Sequence, residues 1–254
     1  MPDIDVTPSL AGKVALVTGG SRGLGRAMVL GFARAGADVV ISSRKLDACQ
    51  AVAGEVEATA GRQALAHACH MGHWGEIDGL VEAAYRRFGR VDVLVNNAGM
   101  SPVYPRPTDV TEELYDKVLD VNLKGPFRLT ALVGARMSEG GGGSIINISS
   151  TAAIRPGEHV IPYAAAKAGL NAMTEAFAYA YGPKVRVNAI MPGPFLTDIS
   201  RAWDMAAFNK QAQHFALRRG GDPDEIVGAA LYFASDASSF TTGAILRVDG
   251  GSRM

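Results

Sequence analysis

The feature that most constrains this sequence is a glycine-rich loop between two regular segments near its start. Residues 13–17 form a largely apolar run that predicts a buried strand, and residues 26–35 carry apolar positions at helical spacing. Residues 18–25 between them contain four glycines. Glycine lets a backbone approach a pyrophosphate closely, and a helix N-terminus offers free N–H groups to it. The order of strand, loop and helix therefore predicts a dinucleotide-binding turn.

Strand-like and helix-like segments alternate along the rest of the chain. Apolar strand-like runs are found at residues 38–42, 63–68, 91–95, 143–148, 185–190 and 244–248. Helical patterns separate them, and the best marked of these begins at Asp222 as cap, followed by Pro223. This alternation predicts the α/β class, as a doubly wound parallel sheet with helices on both faces. Since no linker or repeat divides it, we expect one domain over residues 1–254, with a loosely held lead-in at residues 1–12.

Charge and cysteine content narrow the possible partners. Lysine plus arginine equals aspartate plus glutamate at 25 each, so no net charge favours nucleic acid or an anionic membrane. The two cysteines are too few for a disulfide framework, and no leader-like or membrane-length apolar run is visible. We therefore expect a cytoplasmic protein that acts on small molecules. A tract of His67, Cys69, His70 and His73 resembles metal ligands, but the four residues cross from a strand end to a helix start and no carboxylate cluster accompanies them, which disfavours a metal.

A second constellation lies in the middle of the chain. Tyr163 and Lys167 are four residues apart in an alanine-rich segment, so a helix would place them on one face. A nearby ammonium favours the phenolate and would lower the pKa of the tyrosine from about 10 towards neutrality. Ser150 follows the strand-like run at 143–148, and its hydroxyl would reach the ligand edge of the sheet. A proton-exchanging tyrosine beside a hydrogen-bond donor for a substrate oxygen is the predicted chemistry.

These motifs together identify the chain by resemblance. Residues 18–25 and 96–99, with Asn122, Ser150, Tyr163 and Lys167, resemble the short-chain dehydrogenase/reductase family from residue 12 to residue 251. The resemblance implies a Rossmann-type domain of about seven strands, a dimer or tetramer, and a site in which Asn122 joins the serine, tyrosine and lysine in a proton relay. It also implies a substrate lid at residues 198–218, whose aromatic residues could equally be core.

The same resemblance implies which residues hold a nicotinamide dinucleotide. The expected contacts are Gly19, Ser21, Arg22, Gly23, Leu24 and Gly25 in the glycine loop, Asn97, Ala98 and Gly99 in the next turn, Tyr163 and Lys167, and Pro192, Gly193, Phe195 and Thr197 near the nicotinamide. Ser43 stands where an acid would bind the ribose 2′-hydroxyl of NAD, and Arg44 follows it. Two guanidinium groups, Arg22 and Arg44, could bind a 2′-phosphate, which predicts NADP(H) over NAD(H).

One position departs from the family pattern. His70 stands where an aspartate is usual beside the adenine, and an imidazole could stack on that ring or hydrogen-bond to it. The expected activity is hydride transfer between NADP(H) and a secondary alcohol or ketone. Two alternatives stay open at this point: a reductase of 3-oxoacyl groups on an acyl carrier protein, and a dinucleotide-sensing regulator without catalysis.

Overall fold

A single parallel sheet organises the computed structural model, which describes residues 8–198, 200 and 203–252. Its seven strands have the spatial order β3-β2-β1-β4-β5-β6-β7, and all neighbouring pairs are parallel. The strands are β1 (Val14–Thr18), β2 (Asp38–Ser43), β3 (Ala64–Ala68), β4 (Val93–Asn96), β5 (Gly143–Ile148), β6 (Val185–Pro192) and β7 (Ile245–Val248). The predicted fold class is confirmed.

Helices connect the strands and cover the sheet. The α-helices are α1 (Gly23–Arg34), α2 (Leu46–Ala60), α3 (Trp74–Phe88), α4 (Glu112–Leu119), α5 (Gly125–Glu139), α6 (Ile161–Tyr181), α7 (Met205–Ala212) and α8 (Val227–Ala234). The expected start at Asp222 is confirmed by a capping box with Glu225 that opens a 3-10 turn, Pro223–Ile226, ahead of α8. Helix α1 begins at Gly23, three residues earlier than its apolar pattern indicated, because the glycines themselves form its first turn.

The strands place alternate side chains on opposite faces of the sheet. In β1, Ala15 and Val17 belong to a hydrophobic cluster with Phe32 and Phe233, whereas Val14 and Leu16 belong to a second cluster on the other face. Both faces of this central strand are buried, which is why its sequence is continuously apolar. The chain leaves β1 towards β2 on one side and reaches β4 on the other, so a crevice opens at the carboxyl ends of β1 and β4.

Two segments differ from their predicted form. Leu10 lies in the expected loose lead-in, yet it is fully buried, and its N–H donates to Ala35 O at 2.8 Å. The segment around Leu10 therefore packs against the end of α1. Residues 1–7 of the lead-in lie outside the described ranges. The sequence from Thr111 onwards predicts one long helix that contains Asn122, but a π-helical turn, Asp120–Lys124, lies between α4 and α5. Within the described part of the chain, no helix has both the length and the apolarity needed to cross a bilayer.

Candidate active site

The glycine loop after β1 forms an open cradle at the end of α1. Gly19 and Gly23 have φ values of 63° and 52°, a region in which residues other than glycine are strained. A Cβ on Gly25 would lie 2.2 Å from Gly19 O, so a larger residue could not pack there. Arg22 precedes α1 without a side-chain cap, which leaves the N–H groups of the first turn available to an anion. The cradle therefore fits a pyrophosphate.

The turn after β4 fixes the shape of this cradle. Thr18 Oγ1 accepts hydrogen bonds from the N–H groups of Asn97 and Ala98 at 3.0 and 3.1 Å. In return, Asn97 Nδ2 donates to Thr18 O at 2.8 Å and to Gly19 O at 3.2 Å. The side chain of Asn97 is thus used to hold the glycine loop, so a ligand would meet mainly the backbone of this turn.

Ser150 and Tyr163 meet in the crevice. Ser150 follows β5 and accepts a hydrogen bond on Oγ from Ala152 N–H at 3.1 Å, which leaves its own hydroxyl proton free to donate. Tyr163 stands in the first turn of α6, with its phenol near enough to Ser150 for the serine hydroxyl to favour a lower pKa of the phenol. Ser150 and Tyr163 are 13 positions apart in the sequence. They come together because β5 ends, and α6 begins, at the same edge of the sheet.

Lys167 lies one turn further along α6 and is only 3% exposed. Its Nζ donates to Ile148 O at 2.8 Å and lies 5.7 Å from the centroid of the Tyr163 ring. Burial lowers the pKa of this ammonium from 10.5 to about 8, because the charged form loses its hydration. The amine therefore remains largely protonated at neutral pH, inside the site.

The pKa of Tyr163 differs from the expectation. Desolvation raises it above the ordinary value, and the hydrogen bond from Ser150 opposes this shift. The predicted lowering by Lys167 is wrong for the free protein, because the ammonium is engaged with the carbonyl of Ile148 and does not touch the phenol oxygen. An acidic tyrosine thus requires a positive charge or a further hydrogen-bond donor closer to the phenol oxygen.

Asn122 lies in the π-helical turn and is fully buried. Its Nδ2 donates to Met100 O and to Val118 O, both at 2.9 Å, and its Oδ1 accepts from Met100 N–H at 3.2 Å. A Cβ on Gly99 would lie 2.9 Å from Asn122 Oδ1 and 3.6 Å from Lys167 Nζ. The side chains of Asn122 and Lys167 therefore both approach Gly99. The structure thus gathers Asn122, Lys167, Tyr163 and Ser150 in one place.

Positively charged and imidazole groups lie at the ends of β2 and β3. Arg44 and Arg22 are exposed, and within residues 8–198, 200 and 203–252 neither guanidinium forms an ion pair. Desolvation, followed by the charges of His73 and Arg44, lowers the pKa of His70. Its Nδ1 accepts from Gly72 N–H at 3.1 Å, so the Nε2 atom carries the proton of the neutral ring.

His70 is therefore a neutral donor near Arg44. Its ring stacks on His73, with the two centroids 4.3 Å apart. Ser43 Oγ contacts Cys49 Sγ at 3.1 Å, so this hydroxyl is partly engaged within the protein. Among the described residues, no group of three or more metal-ligating side chains is found, and the metal interpretation of the histidine tract gains no support.

The turn after β6 approaches the glycine loop from the other side. A Cβ on Gly23 would lie 3.4 Å from Thr197 Cβ, and one on Gly193 would lie 2.6 Å from Asp249 Cβ. Pro192 ends β6 and is buried. Phe195 is 7% exposed, and its ring packs in the core against Gly221. Only its backbone could face a cofactor, since the apolar ring is held inside.

The predicted lid is only partly helical. Within residues 198–218, of which 199, 201 and 202 lie outside the described ranges, the helix is α7. Phe208, Ala212 and Phe215 form a small cluster of their own, whereas Trp203 remains 37% exposed and lies against Phe208, with their centroids 5.2 Å apart. The aromatic residues are thus divided: two form a local core and one stands at its rim.

Three residues outside the predicted contacts also shape the site. Thr18 and Asp249 shape the two loops, and Tyr104 hydrogen-bonds to the start of α6 from a loop noted only for its prolines. Thr18 could have been found as the residue that opens the glycine motif. For Tyr104 the sequence holds no signal, because its partner lies 57 positions away and is a backbone N–H.

The fold and the site define an oxidoreductase class, and comparisons with known proteins agree. A sequence model of the family described as Enoyl-(Acyl carrier protein) reductase matches residues 19–253. The chain is 37% identical over 244 residues to 7alpha-hydroxysteroid dehydrogenase of Escherichia coli K12, covering 95% of this chain and 94% of that protein.

Two solved structures are similar as well. One is a 7alpha-hydroxysteroid dehydrogenase complexed with NADH and 7-oxo glycochenodeoxycholic acid, with TM-score 0.93, 35% identity, and coverage of 99% and 98% of the two chains. Another is the NADPH-dependent 3-quinuclidinone reductase of Rhodotorula rubra, with TM-score 0.91, 29% identity, and coverage of 99% and 95%. The chain therefore belongs to the short-chain dehydrogenase/reductase family, the oxidoreductases that act on CH–OH donors.

Proposed function

We propose that this protein transfers a hydride between NADP(H) and a secondary alcohol or ketone. The observation that carries the proposal is the meeting of three groups beside the glycine cradle: the phenol of Tyr163, the hydroxyl of Ser150 and the buried ammonium of Lys167. Burying a charge is unfavourable for stability, and strongly perturbed titratable groups in a cleft commonly mark functional sites.

The residues of the chain divide the proton chemistry. Ser150 donates a hydrogen bond from its hydroxyl to the substrate oxygen, and Tyr163 exchanges the proton of the substrate hydroxyl. Lys167 lies near enough to stabilise a phenolate when one forms, and Asn122 holds the π-turn and the backbone of Met100 beside it. A bound nicotinamide dinucleotide supplies the acceptor or donor of the hydride.

The binding of that cofactor is assigned to the loops that meet in the crevice. Gly19, Gly23 and Gly25 would admit the pyrophosphate, with Ser21, Arg22 and Leu24 around it, while Ala98 and Gly99 back the adenosine side. Tyr163, Lys167 and the backbone of Pro192, Gly193, Phe195 and Thr197 would surround the nicotinamide end. His70 Nε2–H would donate to the adenine.

The preference for NADP(H) rests on charge at the ribose end. Ser43 offers no carboxylate to repel a 2′-phosphate, and the exposed cations Arg22 and Arg44 would attract it. The two similar structures described above carry NADH in one case and depend on NADPH in the other, so relatives of this fold use either cofactor. The preference of this chain between NADP(H) and NAD(H) therefore depends on these local charges.

Replacing Arg44 by alanine is expected to weaken NADPH binding by roughly ten- to a hundredfold, the equivalent of one charge-assisted hydrogen bond. Binding of NADH should change less than threefold, because NADH has no 2′-phosphate. Fluorescence titration of both cofactors measures the two effects. Arg34→Ala is the matched control, since it removes one exposed arginine at the far end of α1. Equal losses for the two cofactors would contradict a phosphate contact.

The activity itself is tested by NADPH consumption over a panel of ketones and sugar-derived carbonyls. The proposal expects turnover of at least one member. Rates with acetoacetyl thioesters that match those of dedicated reductases would favour the acyl-carrier-protein alternative, for which Arg136 is a poor docking cation because it is paired with Glu82. Tight NADPH binding with no turnover over the whole panel would favour the regulator.

The assembly and location of the protein are part of the same proposal. We infer a cytoplasmic homotetramer or homodimer that binds neither membrane nor nucleic acid, from the balanced charge and the family resemblance. Light scattering of the purified chain measures its mass directly.

A further inference from the structure

The helix that carries Tyr163 begins without a side-chain cap of its own. Val160 precedes α6, and its side chain has no polar atom that could accept a hydrogen bond from the first turn. Pro162 has no N–H group, so the amide of Ile161 is the first donor of the helix that needs a partner. That partner is Tyr104 Oη, at 2.7 Å. A distant side chain thus takes the place of a local cap, two residues before Tyr163.

Tyr104 is held in place by its surroundings. It is 7% exposed, and its carbonyl oxygen lies 3.1 Å from His159 Nδ1. Because a carbonyl can only accept, Nδ1 of His159 carries the proton in this hydrogen bond. The loop at residues 100–107 is therefore joined to the chain on both sides of Val160, by His159 before it and by Ile161 after it.

These contacts lie beside an open pocket. Val103, Tyr104, Pro105 and His159 line a cavity of about 540 Å³. Pro102, Pro105 and Pro107 restrict the backbone of the loop, so its position depends on few free torsions. A change in the loop would consequently be transmitted to the start of α6 through the hydroxyl of Tyr104.

We propose that Tyr104 is a positioning residue that fixes the first turn of α6 and thereby sets the phenol of Tyr163 against Ser150. The proposal deepens, and rests on, the function assigned above to Tyr163. Its physical basis is that helix ends fray when their amides lack partners, and that small displacements of a catalytic group have large effects on rate. Tyr104 itself need not touch the substrate.

Tyr104→Phe tests this directly, because it removes one hydroxyl and keeps the ring. We expect kcat to fall roughly tenfold, the value of one neutral hydrogen bond, with little change in KM for the dinucleotide. The amide of Ile161 should exchange with solvent about tenfold faster, as measured by NMR. Tyr115→Phe is the matched control, since Tyr115 is 46% exposed on α4 and should leave both quantities unchanged. An unchanged Ile161 exchange rate, or an unchanged kcat, would overturn the proposal.

A second variant separates helix capping from other effects of the loop. Adding Val160→Asp to Tyr104→Phe supplies a local acceptor for the amide of Tyr163, because a capping side chain reaches the second or third helical N–H and Pro162 has none. Exchange of the Tyr163 amide should then slow, and at least half of the lost kcat should return. Slow Tyr163 exchange without recovery of kcat would overturn the proposal, because the hydroxyl of Tyr104 would then act elsewhere.

The assay also distinguishes failure of this inference from failure of the proposed function. If the wild-type chain reduces no carbonyl, the proposed function fails, and the position of the phenol is read from the titration of Tyr163 by carbon NMR of labelled tyrosine. Loss of the first-turn contact should then raise the pKa of Tyr163 further, because the hydrogen bond from Ser150 that lowers it is loosened. An unchanged titration of Tyr163 in Tyr104→Phe would contradict the positioning role in that case.

Discussion

Replacing Tyr163 by phenylalanine is expected to lower kcat by roughly a thousandfold or more, within the range of positioned acid–base groups. In the proposed mechanism the phenol hydroxyl exchanges the substrate proton, and the neighbouring Ser150 favours its ionised form. The Kd for NADPH should change by less than about threefold, because the glycine cradle stays intact. Steady-state reduction of the best carbonyl substrate, together with a cofactor titration, measures both effects.

Tyr179 provides the control for this variant. It lies on the same helix, α6, and is 90% exposed, so Tyr179→Phe removes an equivalent hydroxyl far from the crevice. Its kcat should match that of the wild type. Retention of more than a tenth of the activity in Tyr163→Phe would show that another group exchanges the proton and would remove the basis of the proposed mechanism.

Replacing Lys167 by methionine is expected to abolish turnover and to raise the free energy of unfolding at pH 7. The pKa of this amine is lowered from 10.5 to about 8 by burial, which corresponds to roughly 3 kcal/mol of unfavourable folding free energy for the charged form. Loss of the hydrogen bond to Ile148 O offsets about 1 kcal/mol of this gain. The net stabilisation should be about 2 kcal/mol, measured by urea unfolding.

The sign of its pH dependence makes this prediction specific. Between pH 8 and pH 10.5 the unfolded chain binds more protons at Lys167 than the folded chain, so the wild type gains stability as pH rises through that window. Below pH 8 the unfavourable contribution is present in full. The advantage of Lys167→Met should therefore shrink from pH 7 to pH 10.

Lys184 is the matched control, because its Nζ also donates to a backbone carbonyl, that of Ser138, at 2.8 Å, but on the exposed surface. Lys184→Met should show neither the stabilisation at pH 7 nor the pH-dependent difference. A Lys167→Met protein that is less stable than the wild type at pH 7 would mean that the ammonium is compensated by contacts beyond Ile148 O.

The fold was largely predictable from local patterns. Apolar runs of strand length between helical segments set the α/β class, and the glycines of residues 18–25 set the turn after β1, because both depend on residues close together in the sequence. The ends of the helices and the packing of the N-terminal segment were less predictable. The buried position of Leu10 depends on a contact with Ala35 O, which a reading of the local sequence could not reveal.

The members of the candidate site were named from their spacing and the family resemblance, but their electrostatics were not predictable. Spacing placed Lys167 near Tyr163 and suggested a lowered phenol pKa. Whether an ammonium acts on the phenol depends on its distance and its other partner, and here it donates to Ile148 O while desolvation raises the pKa of Tyr163. The ring of Phe195 likewise turned into the core because Gly221 leaves space for it.

The sequence by itself determined the order of the elements, the glycine cradle and the identity of the Ser150, Tyr163 and Lys167 set, since these are properties of local pattern and spacing. Only the tertiary structure decided how far each group is desolvated and which backbone atoms it meets. The partnership of Tyr104 with the amide of Ile161 is of that second kind. A backbone N–H is the same at every position except proline, so no side-chain pattern can reveal which of them a distant hydroxyl will contact.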